Sequence, residues 1–126
     1  MKAINELVKE AHANAVDKGW WNKEPSFGEV IALIHSEASE ALEDYRTGKK
    51  PAEVWYEEKS AFGMTLTRLE MADDTWKPCG IPSGLADIVI RVFDACGQYG
   101  INLEEAIREK MAYNATRSQR HGGKVI

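Results

Sequence analysis

The stretch from Pro82 to Gly100 limits the fold of this chain more than any other. At about 100° per helical residue, Leu85, Ile88, Val89, Ile90, Val92, Phe93, Ala95 and Cys96 point in nearly every direction. A helix that is apolar all round must be covered on most sides, so the segment predicts the central member of a helical bundle. Its strongly polar groups, Asp87, Arg91 and Asp94, fall on one narrow stripe at i, i+4 and i+7. Pro82-Ser83 opens this helix, which runs to about Tyr99, and Gly100 closes it.

Three further helices are legible. Ile4, Leu7, Val8, Ala11 and Ala15 recur at helical spacing, predicting a helix from Lys2 to Asp17 that stops at Gly19 and leads into Trp20-Trp21. Ser26, with Glu29 three residues on, is a capping-box signature for a second helix reaching Arg46, which Thr47-Gly48-Lys49-Lys50-Pro51 ends. Asn102 with Glu105 caps a fourth, carrying Leu103, Ile107, Met111 and Asn114 along one face. Residues 52–80 are punctuated by Gly63, Pro78 and Gly80; pieces such as Glu53–Glu58 and Met64–Met71 fit short helix, hairpin or ordered loop. The expectation is a single all-α domain over residues 1–126: four main helices in a bundle, with an irregular insertion at 52–80 and a basic, extended tail from Arg117. The third helix is too apolar for so short a chain to cover, so the bundle is expected to be completed by self-association.

Composition narrows the function classes. A net charge of −4 argues against a general nucleic-acid binder, which needs a basic footprint, yet leaves room for a nucleotide bridged to acidic residues by a divalent ion. Cys79 and Cys96 have no zinc-ligand spacing and read as a reduced pair. The start, Met1-Lys2-Ala3-Ile4-Asn5-Glu6, reaches an acidic residue at once, and the apolar run Val30–Ile34 is too short to span a bilayer. A soluble, cytoplasmic protein without nucleic-acid or membrane partners is expected.

The carboxylates carry the chemistry. On the second helix the apolar arc holds Val30, Leu33, Ile34, Ala38, Ala41 and Tyr45, and Glu37 lies inside it. Asp44 stands beside Glu37 at i+7, and Glu40 borders it at i+3. Two carboxylates about 4 Å apart repel by roughly 4 kcal/mol at an effective dielectric near 20, so such crowding calls for a cation, a salt-bridge partner or a wet cleft. One reading is the solvated edge of an amphipathic helix, with Glu43 as part of an ordinary charge run. For the third helix the corresponding reading is a buried Asp–Arg pair holding two helices in register. Two acidic stripes on two helices also suit a hard cation, and oxygen donors without His or Cys favour Mg²⁺ or Mn²⁺ over zinc. A di-iron carboxylate site needs Glu-x-x-His pairs. His12, His35 and His121 follow Lys9, Ala32 and Ser118 at that spacing, which excludes it.

Ser36-Glu37-Ala38-Ser39-Glu40 and Gly84-Leu85-Ala86-Asp87 together resemble the EExxE and ExxD halves of the signature of the MazG-like, all-α nucleoside triphosphate pyrophosphohydrolases. The runs Lys110-Met111-Ala112-Tyr113-Asn114-Ala115-Thr116-Arg117 and Arg120-His121-Gly122-Gly123-Lys124 also look like members of this family. The resemblance extends from about Trp20 to the end of the chain. It departs at Ser36, in place of a leading Glu, and at Gly84, where the second half-motif has a metal-ligand Glu. Residues 52–80 are longer than the segment in compact relatives.

The resemblance implies that Glu37, Glu40 and Asp87 are the metal and catalytic residues, holding Mg²⁺ on a nucleoside triphosphate that is hydrolysed to the monophosphate and pyrophosphate. It assigns phosphate or sugar contacts to Lys110, Asn114 and Arg117, with Arg120 and Lys124 on the tail, and it implies a homodimer or homotetramer. Trp20, Trp21 and Trp55 are candidates for stacking on a base, against ordinary packing. Two alternatives stand beside this reading: a nucleotide- or metal-binding homologue with weak or no catalysis, as Gly84 would allow, and a structural helical interaction protein whose acidic stripes pair with Arg91 and basic neighbours.

Overall fold

In the computed structural model, which describes residues 2–117, the elements follow as α1 (Ile4–Asp17), α2 (Phe27–Arg46), β1 (Trp55–Lys59), β2 (Thr65–Arg68), β3 (Lys77–Cys79), α3 (Ile81–Tyr99) and α4 (Leu103–Ala115). The four expected helices are present, and their ends are set by local chemistry. Ser26 Oγ accepts from the Glu29 N–H at 3.2 Å while Glu29 Oε1 accepts from the Ser26 N–H at 3.3 Å, a complete capping box. Asn102 Oδ1 accepts from the Glu105 N–H at 3.2 Å.

The all-α expectation is corrected by residues 55–79, which form a three-stranded antiparallel sheet in the order β2-β1-β3. Tyr56 and Glu57 stand opposite Arg68 and Thr67 on one side, and opposite Pro78 and Lys77 on the other. Val54-Trp55-Tyr56 and Thr65-Leu66-Thr67 are rich in the β-branched and aromatic residues that favour a pleated surface. Gly63, at φ 79°, supplies the left-handed residue of the turn between them. Pro78, which has no N–H to give, sits in a strand at the edge of the sheet. At the passage from β3 to α3, Gly80 has φ 110°, and a Cβ there would stand 2.4 Å from the Glu53 carbonyl oxygen. Only glycine fits that approach.

The chain divides into two compact units, Lys23–Val92 and Met1–Asn22 with Phe93–Ile126. The first contains α2, the sheet and most of α3. Val30, Glu37 and Ala41 form the buried line of α2, and Trp76, Gly80 and Ile81 are buried around the sheet. Gly84 lies against Ala41, and Arg91 is bonded to Glu37. Contacts advance along α3 as they retreat along α2, so these two helices run antiparallel.

The second unit joins α1, the end of α3 and α4. Asn5 Nδ2 donates to Asn102 Oδ1 at 2.9 Å, and Asn5 Oδ1 accepts from the Glu104 N–H at 3.2 Å, so a residue of α1 satisfies the start of α4. Gly97 lets α1 approach: a Cβ there would stand 2.5 Å from His12 Cβ. Asp94 Oδ1 accepts from Trp21 Nε1 and lies against His12 Nδ1, both at 2.9 Å. Among the described residues no helix is long and apolar enough to cross a membrane.

Apolar cover is thin. No large side chain among the described residues is completely shielded, and Leu85, Val89 and Ile90 of α3 are each about half exposed. On α2, Phe27, Ile31, Leu42 and Tyr45 fall within about 60° of one another and are all exposed, Leu42 by 58% and Tyr45 by 61%.

Candidate functional site

The site is built in the sheet-bearing unit, where α2 and α3 face each other. Glu37 is 9% exposed, and a buried carboxylate needs a partner. Arg91 supplies it: Nε and Nη2 both donate to Glu37 Oε1 at 3.2 Å. One turn further along α2, Glu40 is exposed. Its carboxyl is held above the ordinary value, chiefly by a side-chain hydrogen bond with Glu37 and by that neighbour's charge; Asp87 adds to the effect and Arg91 opposes it. The Asp87 carboxyl is also raised, first because the cleft wall strips water from it and then by the charge of Glu37, with Arg91 and Lys77 opposing. Glu37, Glu40 and Asp87 therefore sense one another across the α2–α3 interface.

Beside them opens a cleft of about 470 Å³. Glu40, Glu43 and Asp44 of α2 form one side, and Ser83, Gly84 and Asp87 of α3 another. The sheet closes the third with Trp55 and Glu57 from β1 and Lys77, Pro78 and Cys79 from β3. Trp55 is fixed there by three contacts. Its Nε1 donates to Glu57 Oε2 at 2.9 Å, Lys49 Nζ lies 4.4 Å from the ring centroid, and Gly80 leaves room for the ring edge. Burial, followed by the charge of Glu57, pushes the Cys79 thiol up, and Lys77 opposes that shift.

The expected residues are thus only partly united. Glu37, Glu40 and Asp87 come together, and Asp44 and Glu43 join the cleft. Gly84 stands at the same level of α3 as expected, but as a packing residue: a Cβ there would come to 3.2 Å from Ala41 Cβ. Asp94, on the stripe of Asp87, is engaged with His12 and Trp21 in the other unit. Lys110, Asn114 and Arg117 also belong to that other unit, on α4 and just beyond it, where the Lys110 and Arg117 cations lie 5.5 and 6.0 Å from the Tyr113 ring. Arg120 and Lys124 lie outside the described residues. Trp20 is 53% exposed and Trp21 is bound to Asp94, whereas Trp55 lines the cleft. Among the described residues no group of three or more His, Cys, Asp or Glu side chains is arranged to hold a metal ion.

Glu57, Lys77 and Cys79 were not singled out by the sequence as members of a site. The one available signal was the alternation of Trp55 and Glu57, which places both on one face of a strand. Compared with protein-family models, with curated proteins and with solved structures, the chain has no match.

Proposed function

We propose that this protein is a Mg²⁺-dependent nucleoside triphosphate pyrophosphohydrolase acting at the α2–α3 cleft. The observation that carries the reading is the convergence of Glu37, Glu40 and Asp87: the Glu40 carboxyl is raised by its hydrogen bond with Glu37 and then by that neighbour's charge, and the Asp87 carboxyl by burial and then by the charge of Glu37. Crowded oxygen donors whose protons are held too tightly are what a hard cation relieves. Oxygen donors suit Mg²⁺, or Mn²⁺ in its place, and Glu37, Glu40 and Asp87 are the residues that would hold it. When bound, the ion would neutralise phosphate charge and acidify a water.

The cleft lining carries five carboxylates against one lysine, so a bare triphosphate is repelled and the metal complex is the form admitted. Water attacks the α-phosphorus, the bond to the bridging oxygen breaks, and pyrophosphate leaves. The proton of the attacking water passes to a cleft carboxylate. Arg91 holds Glu37 in place.

The apolar stripe of α2 and the half-exposed face of α3 are assigned to a second copy of this chain, giving a homodimer as the smallest working assembly, or a homotetramer built from it. An exposed row of large apolar side chains on a helix is the usual mark of association.

The test is pyrophosphate release from a panel of ribo- and deoxyribonucleoside triphosphates, alongside thermal stability with Mg²⁺ and with chelator. Release above background, together with a Mg²⁺-dependent rise in melting temperature lost in Glu40→Gln, supports the reading. Absence of both effects in the parent protein would overturn it.

A second reading is favoured by one observation, the Arg91–Glu37 ion pair. An acidic residue already matched by arginine needs no metal, and the protein is then a helical interaction module. In that case Mg²⁺ leaves the melting temperature unchanged.

A further inference from the structure

We propose that Lys77, carried into the cleft by β3, is the side chain that grips the outer phosphates of the metal-bound triphosphate. This rests on the pyrophosphohydrolase reading above and gives the sheet at 55–79 a role in it: the insertion is the phosphate-facing wall of the site.

Among the described residues four cations lie near the cleft carboxylates, and three are committed. Arg46 Nη1 donates to Glu43 Oε2 at 3.3 Å. Arg91 gives Nε and Nη2 to Glu37. Lys49 sits over the Trp55 ring. Lys77 stands directly opposite Glu57 in the β1–β3 register, the placement of a cross-strand ion pair. Yet Glu57 Oε2 accepts from Trp55 Nε1 at 2.9 Å, and among the described residues Lys77 forms no ion pair with Glu57 or any other carboxylate. Lys77 feels the charge of Asp87 but stands beyond ion-pair distance of all five cleft carboxylates, so its ammonium can turn to a ligand.

The ligand's chemistry follows from the charge around that ammonium. A lone divalent ion still leaves a triphosphate with a net negative charge, and the remaining cleft side chains are acidic. The phosphates furthest from the metal therefore need a positive group, and Lys77 is the one that lines the cleft. An ammonium acts as a point charge on phosphate, tolerant of orientation, which suits an exposed strand position.

The experiment uses magnesium tripolyphosphate, which has no base or sugar, measured by calorimetry on the full chain and on Lys77→Ala and Lys77→Arg. Circular dichroism melts serve as folding controls. Lys77 is exposed on a short edge strand, so both variants are expected to fold as the parent does. Lys77→Ala should weaken tripolyphosphate binding by about tenfold or more, the loss of one charge-assisted contact, and Lys77→Arg should restore most of it. Stabilisation by Mg²⁺ alone should be equal or greater in Lys77→Ala, because a competing cation is gone. Parent-like tripolyphosphate affinity in Lys77→Ala, with Mg²⁺ stabilisation intact, overturns the role of Lys77 and leaves the metal reading standing. Absence of Mg²⁺-dependent tripolyphosphate binding in the parent overturns both.

Discussion

Gly84 of α3 is packed against Ala41 of α2 so closely that a methyl group at 84 would come to 3.2 Å from the Ala41 Cβ. A side chain at 84 would thus fit only if Ala41 gave way by a few tenths of an ångström. Replacing glycine inside a helix ordinarily gains about 0.5–1 kcal/mol. Here Gly84→Ala should instead lose about 1–2 kcal/mol through overpacking, and Gly84→Glu should lose more. Urea unfolding checks the sign, and the loss should largely vanish in an Ala41→Gly background, the signature of two residues in contact. A gain in stability from Gly84→Ala alone would show that the helices separate freely.

The Glu37–Arg91 pair makes a second prediction. Its side chains are 12% and 24% exposed, so removing the arginine leaves a nearly buried carboxylate without that partner. Arg91→Met should destabilise the protein by about 2 kcal/mol, below the full buried-pair range because some water reaches the site. The double variant Glu37→Leu with Arg91→Met should recover most of this. An unchanged urea midpoint in Arg91→Met would mean the pair contributes nothing to folding.

Cys79 offers a reporter on the cleft. Burial and the charge of Glu57 raise its thiol, and Lys77 opposes them. A raised thiol holds its proton to higher pH, so near pH 8 less thiolate is present than in a free cysteine and alkylation is slower. In a Cys96→Ala background, Glu57→Gln should speed iodoacetamide labelling at pH 8 several-fold, and Lys77→Ala should slow it. The differences should disappear well above the thiol's pKa, where every variant is thiolate. Identical rates in all three proteins at pH 8 would place those charges too far from the sulfur to matter.

The exposed stripe on α2 predicts an oligomer that a single charge can break. Leu42 is 58% exposed beside Tyr45, so Leu42→Glu should leave the helical spectrum intact. Light scattering should find the parent associated and the variant monomeric at the same concentration. A monomeric parent would remove the second copy from the proposal.

How much of this was legible beforehand depended on how local the causes were. The starts of α2 and α4 were readable because Ser26–Glu29 and Asn102–Glu105 act within a single turn. The sheet was not. Its strands are only five, four and three residues long, so the alternation of Trp55 and Glu57 is too brief to mark a strand by itself, and β2 is exposed throughout, so neither of its faces is marked by burial. Periodicity alone placed Glu37 and Glu40 on an acidic stripe of α2 and Asp87 on one of α3; their grouping as one set was implied only by the resemblance. That Glu37 is matched by Arg91, and that Asp94 belongs with His12 and Trp21, could not be read this way.

The sequence by itself determined where the helices lie and which carboxylates fall together on them, because helix caps, glycine stops and the 3.6-residue repeat act between near neighbours in the chain. Tertiary structure alone decided the pairing of β1 with β3, the entry of Lys77 and Trp55 into the cleft, and the packing of Gly84 on Ala41. Each of these depends on how closely segments distant in sequence approach in space. The two 3.2 Å hydrogen bonds from Arg91 to Glu37, on different helices, arise only once the backbone has been brought there.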